Sequence, residues 1–331
     1  MSPEVADWVG TDFGLDVTTM DAVTHGADRY AQLWRARAVD GARYAVKLSG
    51  GGTSAGLAVS AYLAGQGVPG VPAPLRTRDG RLWADRDGRR LTVVPWVSDR
   101  RALDGPMTAA HWRSYGEVLA AVHAVPVTDE LARLLPRGGS AYPRIVAANR
   151  AVARRLRDPA PDPVAAELAL IWSAAADRVS LLTRSVERLA ADRRDRPGTP
   201  VVCHGDPHLG NLLLGPDGRV WLIDWDDAVL APPECDLMFV TGGMLAFAPV
   251  TAEQREAVLA GYGGTDVDAT RLAWFLAVRA LDDLSDWTRQ ALDPGADEAE
   301  RAFACRIVRG LVSADGLVTL AEVALRDLDR R

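Results

Sequence analysis

Three cysteines stand in 331 residues, Cys203, Cys235 and Cys305. Their number is odd and their spacing suits no metal, so neither a disulfide framework nor a zinc site is expected. No stretch approaches the roughly 18 apolar residues of a membrane span; the best, Leu237 to Val250, is broken by Gly242, Gly243 and Pro249. The first residues, Met1-Ser2-Pro3-Glu4, lack the basic start and apolar run of an export signal, which points to a cytoplasmic protein. A basic excess is missing too. The net charge is −6, which argues against a nucleic-acid partner. With 48% hydrophobic residues and charges of mixed sign the chain is globular, and its length suggests about two domains.

The scarcest residue is lysine. Of 38 basic side chains, 37 are arginine and one is Lys47. An ammonium is a compact point charge on a flexible stem, a guanidinium a broad planar fork. A lone ammonium against that background marks a position where the difference could matter.

Residues 1–95 read as strands and turns with one short helix. Tyr30–Val39 alternates, Asp40-Gly41 is a hairpin signal, and Tyr44–Leu48 is the return strand. The glycines 50–52 precede a helix over Ser54–Gln66. A second hairpin joins Arg81–Ala84 to Leu91–Val94 around Asp87-Gly88. Residues 96–101 are the linker. Residues 102–331 turn helical: a helix capped by Thr108 with Trp112, Tyr115, Leu119 and Val122 on one face, a long helix from Leu168 to Leu189, another over Leu272–Trp287, and a last one within Ile307–Leu328. The Arg/Asp run at 192–196 reads as a solvated loop. Within this half, 200–237 carries a hairpin of its own, turning at Pro216-Asp217-Gly218. Residues 1–100 carry a net +1 and residues 101–331 a net −7, so the second lobe suits a cationic ligand.

The densest chemistry is His204-Gly205-Asp206-Pro207-His208-Leu209-Gly210-Asn211, followed by Ile223-Asp224-Trp225-Asp226-Asp227. Phosphoryl transfer needs a carboxylate at the attacking hydroxyl. It also needs an amide oxygen and a second carboxylate for the metal on the nucleotide phosphates. Asp206 and Asn211 have the spacing for this, and Asp224 ends the next strand.

On these residues the chain resembles the aminoglycoside phosphotransferase family of the protein-kinase-like superfamily. His204-Gly205-Asp206 with Asn211 is similar to its catalytic loop, and Ile223-Asp224-Trp225 to its metal-binding motif. Pro233–Leu237 is similar to the segment whose Asp, here Asp236, braces that loop. Ala45-Val46-Lys47 and Leu119–His123 add to the likeness. Gly67–Val71 and the long run to the catalytic loop resemble the spectinomycin phosphotransferase-like branch. The resemblance implies an α+β, bilobal, protein-kinase-like fold, with a small antiparallel β-sheet N-lobe and a larger, mainly helical C-lobe.

It also implies roles. Asp206 is the base, Asn211 and Asp224 hold Mg2+, and Lys47 reaches the α- and β-phosphates of ATP or GTP. Gly26 and Ala27 let backbone N–H groups approach the phosphates, and the hinge at Val94, Trp96 and Val97 faces the nucleobase. His204 supports the loop by packing, and His208 lies within it. His25, His111 and His123 read as structural or exposed, and Cys203 and Cys235 as buried small hydrophobes. Asp226, Asp227, Asp282, Asp283, Asp286 and Trp287 are candidates for a cationic acceptor, since carboxylates suit ammonium groups and an indole face suits cation–π contact. The expected activity is O-phosphorylation of an aminoglycoside or aminocyclitol antibiotic. A metabolic kinase for choline, homoserine or a sugar is the alternative, and a catalytically silent nucleotide-binding module another.

One departure stands out. Kinase folds pair the phosphate-binding Lys with a Glu on the following helix, yet no Asp or Glu occurs between Leu48 and Arg78. Gly52-Thr53-Ser54-Ala55-Gly56 matches a nucleophile elbow, but too few strands and no glycine-rich oxyanion loop precede it. The dinucleotide fingerprint in the same run lacks its ribose-binding acid.

Overall fold

The structure is a computed structural model that describes residues 3–23, 31–50, 54–158, 162–195, 198–240, 248–264 and 266–330. Gly26, Ala27, His25, Gly52 and Thr53 lie outside these. In chain order the elements are α1 (Pro3–Phe13), β1 (Val17–Val23), β2 (Ala31–Ala38), β3 (Arg43–Ser49), α2 (Ala55–Gly65), β4 (Ala84–Arg86) and β5 (Arg89–Pro95). Then come α3 (Ala109–His123), α4 (Asp129–Leu134), α5 (Tyr142–Arg155), α6 (Pro163–Ala174), α7 (Ala176–Asp195) and β6 (Val201–Cys203). Residues 212–237 hold β7 (Leu212–Leu214), β8 (Val220–Leu222), β9 (Val229–Ala231) and α8 (Glu234–Leu237). The chain closes with α9 (Ala252–Tyr262), α10 (Ala269–Ala291), α11 (Glu298–Leu311) and α12 (Leu317–Asp329). None of the described helices is long and apolar enough to cross a membrane.

Two compact units emerge. The first is residues 1–135, 204–228 and 257–263; the second is 136–203, 229–256 and 264–331. The first holds a five-stranded antiparallel sheet in the order β1-β2-β3-β5-β4. Its strands alternate. Met20, Trp34, Ala36, Val46, Leu48, Leu91 and Val93 are buried on one face. Helix α1 covers that face with Val5, Val9 and Phe13, a stripe at intervals of four. It was not expected from the sequence, where one helix was read before residue 95. Its end is fixed by Arg86, which donates to both oxygens of Asp12. Both hairpins turn where read, though the first arm of the second is Ala84–Arg86 and not Arg81–Ala84: Gly41 takes φ +85°, and Asp87 and Gly88 take +52° and +72°, the left-handed pair of a tight turn.

The linker is stitched in place. Asp99 accepts from Arg43 (2.7 Å), from the Trp96 indole (2.8 Å) and from Arg35 (3.2 Å). The Arg43 guanidinium leads in holding the Asp99 carboxyl below the usual range, with Trp96 and Arg35 helping against desolvation. Such a group stabilises the fold fully above the ordinary Asp value of about 3.9 and loses that effect as pH falls toward its lower folded value. Asp99 is half exposed, so the effect is about 1 kcal/mol or less. The melting temperatures of the wild type and Asp99→Asn should differ most near neutrality and converge below about pH 4.

On the far side of the linker, Leu214 N–H donates to Arg100 C=O (2.8 Å), Ser98 Oγ donates to Leu214 C=O (2.6 Å), and Arg101 bridges Leu213. Leu222 N–H donates to Gly70 C=O (2.7 Å). Gly70 has φ +74°, and a Cβ there would lie 2.5 Å from Val220 C=O, so the 67–71 turn needs a glycine to seat against β8.

The second unit is helical. Its core runs through α5, α6, α7, α10, α11 and α12 around Trp274, whose indole N–H donates to Val186 C=O (3.1 Å). One helix expected as continuous is broken. Leu168–Leu189 is α6 and α7, parted at the buried Ala175. The final stretch is α11 and α12, parted before Gly316, where a Cβ would overlap Gly310 and Leu311 carbonyls. The run at 192–196, expected as a loop, continues α7 as far as Asp195. Buried Glu234 on α8 clasps Arg271 (3.0 and 2.9 Å) and accepts from Asp268 N–H (3.0 Å), anchoring the start of α10.

Candidate active site

Residues 47, 206, 211, 224 and 226 all fall in the first unit. Lys47 sits mid-strand on β3, paired with Leu33 and Thr92. Val46 and Leu48 point into the α1 core, so the period of two turns Lys47 to the opposite face. There its Nζ lies 3.3 Å from Asp226 Oδ2 and 3.7 Å from Asp224 Oδ1.

The 204–211 loop is shaped by its histidines. His204 is fully buried and packs against Trp225 with ring centres 4.6 Å apart and planes tilted by 57°. Asp206 N–H donates to His204 Nδ1 (3.2 Å), which makes that nitrogen an acceptor. Nε2 therefore carries the proton and donates to Ile223 C=O (2.9 Å). The ring is a strut between the loop and the strand end before Asp224. His208 Nδ1 accepts from Gly210 N–H (2.8 Å), while Nε2 lies 3.4 Å from Asp206 Oδ2. Tyr115 on α3 donates to Pro207 C=O (2.6 Å). His111 and His123 are buried partners of Gly215 C=O (2.9 Å) and the Tyr262 hydroxyl (2.7 Å).

Asn211 donates its side-chain N–H to Asp206 C=O (2.8 Å), and Ile223 N–H donates to Asn211 C=O (3.0 Å). With the amide nitrogen used, Oδ1 is the atom left to act as a ligand. Asp224 is half exposed and adopts a left-handed conformation, φ 65° and ψ 69°. That conformation is uncommon outside glycine and costs energy, which is why such residues gather at working sites. An amide oxygen and a carboxylate are hard donors that fit a small divalent cation such as Mg2+.

Other expected site residues are placed as follows. Trp96 N–H donates to Arg43 C=O (2.9 Å), extending the β3–β5 ladder, and Val94 pairs with Ala45. Val97 follows in the linker. Asp227 is exposed on the turn after Asp224. In the second unit, Asp236, Cys203 and Cys235 are buried, and burial pushes the Cys203 thiol up, helped by Cys235 and Asp236. On α10, Asp283 pairs with Arg279 (2.7 Å) and Asp286 with Arg289 (2.7 Å). Asp282 is exposed. Desolvation by the surrounding chain pushes its carboxyl above the ordinary range, against Arg279 and with Asp286. Trp287 packs on the core and meets Phe303 edge-on at 5.8 Å. The sequence reading missed that Asp226 approaches Lys47. Its one trace was the lack of acids between 48 and 78.

A family model described as the phosphotransferase enzyme family matches residues 22–275, and the chain belongs to that family. It is 35% identical over 185 residues, 55% of its length, to streptomycin 3''-kinase of Streptomyces griseus, and covers 61% of that relative. Among solved structures, spectinomycin phosphotransferase APH(9)-Ia with ADP and spectinomycin shares its fold at a TM-score of 0.87 and 22% identity, over 98% of this chain and 99% of that one. An amicoumacin kinase with AMP-PNP and Ca2+ follows at 0.62 and 15%, over 93% and 92%. The bilobal, protein-kinase-like α+β fold is thereby established.

Proposed function

We propose that the chain transfers the terminal phosphate of ATP or GTP to a hydroxyl of a small cationic acceptor, an aminoglycoside or aminocyclitol antibiotic. The observation that carries this is the meeting, within one compact unit, of the only amine side chain with Asp224, beside the loop of Asp206 and Asn211. Residues 1–95 are read as the nucleotide lobe, 96–101 as its hinge and 102–331 as the helical lobe.

Asp206 accepts the proton of the attacking hydroxyl, and its loop is held for this by His204, Tyr115 and Asn211. Lys47 steadies the non-transferred phosphates as a point charge. Asn211 Oδ1 and Asp224 would hold Mg2+, which when bound offsets negative charge on the phosphate oxygens. Val94, Trp96 and Val97 border the nucleobase, with Trp96 contributing its C=O or ring since its N–H serves the sheet. Asp236 is read as support for the loop. As separate acceptor candidates we propose Asp227 in the first unit and, in the second, Asp282 with Asp283, Asp286 and Trp287 beside it. The names of the relatives, a streptomycin kinase and a spectinomycin phosphotransferase, support the acceptor class. A phosphate adds roughly two negative charges, which would weaken such a drug on an anionic target.

Nucleotide consumption with ATP or GTP and Mg2+ should depend on spectinomycin, streptomycin or a related aminoglycoside, in a panel that also holds choline, homoserine and sugars. Turnover only with choline or homoserine would make this a metabolic kinase, and none with any acceptor a silent nucleotide module.

A further inference from the structure

We propose that Asp226 is the positioning residue of Lys47, holding its ammonium over the phosphate site from the turn after Asp224; this rests on the nucleotide-binding reading above. A lysine stem has four rotatable bonds, so an ammonium that must meet a phosphate at one point gains from being held beforehand. The helix after its strand, α2, cannot supply a carboxylate, since no acid lies between Leu48 and Arg78. Instead α2 brings one in. Gly56 in its first turn packs on the 225–227 turn, and a Cβ there would lie 2.5 Å from Trp225 C=O and 2.9 Å from Asp226 N. The missing side chain on the helix is the space through which Asp226 approaches.

The turn is fixed on both sides of Asp226. Trp225 is buried, packs at a tilt against His204, and donates its indole N–H to Leu222 C=O (3.1 Å). Asp227 C=O lies against Gly205, where any Cβ would overlap it. Between these pins the Asp226 carboxylate reaches Lys47 Nζ at 3.3 Å, nearer than Asp224 at 3.7 Å. The division of labour follows. With Asp226 holding the amine, Asp224 can turn to the metal without releasing Lys47. The same geometry takes Asp226 out of the acceptor site.

The test is Asp226→Asn, alone and with Lys47→Met, with Asp226→Glu as the charge-keeping variant. Calorimetric titration with a non-hydrolysable triphosphate and Mg2+ should show about tenfold weaker binding for Asp226→Asn. The acceptor KM should stay within about twofold, and Asp226→Asn should add almost nothing once Lys47 is Met. Asp226→Glu should recover most of the loss. Because Lys47 is the only lysine, its acylation by an amine-reactive ester in nucleotide-free protein, read by peptide mass at one pH, reports the hold directly. Acylation should be several-fold faster in Asp226→Asn than in wild type or Asp226→Glu. An unchanged acylation rate, a loss confined to acceptor KM, or an equal loss in the Lys47→Met background would overturn the assignment. Faster acylation in a chain that turns over no acceptor would leave it standing and sink only the phosphotransfer reading.

Discussion

Asp206→Ala should lower phosphate transfer about 10²–10⁴-fold, the range for loss of a general base, while nucleotide affinity stays within about twofold. The split follows from where the side chain acts. Asp206 shapes its loop through its backbone: its N–H meets His204 Nδ1 and its C=O accepts from Asn211. Alanine keeps both bonds, so the Asn211 amide keeps its orientation and Asp224 its turn. Only the carboxylate proposed as the base is lost. Single-turnover rates beside nucleotide titrations check this. A variant that still turns over at near the wild-type rate removes Asp206 as the base.

Gly205→Ala should be the most destabilising of the conservative changes near the site, by about 3–5 kcal/mol. Gly205 has φ +84°, where an alanine costs about 1–2 kcal/mol by itself. The remainder comes from the methyl group, which would overlap the Asp227 carbonyl and force the catalytic loop and the 225–227 turn apart. Neither side can yield by turning a rotamer, because both are backbone. Gly41→Ala separates the two contributions: Gly41 has φ +85° but no atom near its missing Cβ, so only the conformational cost of about 1–2 kcal/mol should appear. Urea unfolding of both variants measures the difference, and equal losses would mean that the close approach at Gly205 is not rigid.

Local signals carried much of this molecule. Asp40-Gly41 and Asp87-Gly88 placed two hairpins because left-handed backbone is written in residue type. The loop from His204 to Asn211 and the Asp224 turn were legible because their spacing is short. Val5, Val9 and Phe13 did carry a helical stripe, but it sits in a short polar opening that was passed over. The break at Ala175 left no mark: no glycine or proline stands there, and the chain parts into α6 and α7 only as they pack around the second core. The approach of Asp226 to Lys47 joins residues 179 apart. No periodicity encodes such a meeting, and it shows in the sequence only as a carboxylate absent from the helix where one was sought.

The stitching of Ser98, Arg100 and Arg101 to Leu213 and Leu214 has a bearing on recombination between genes. It fastens the sheet that carries Lys47 to the hairpin that follows Asn211, although some hundred residues of helix separate them along the chain. A chimera with a crossover between 135 and 204 would therefore mate one parent's amine to another parent's oxygens along a seam neither was built for. Exchanging 136–203 as a cassette leaves that seam whole.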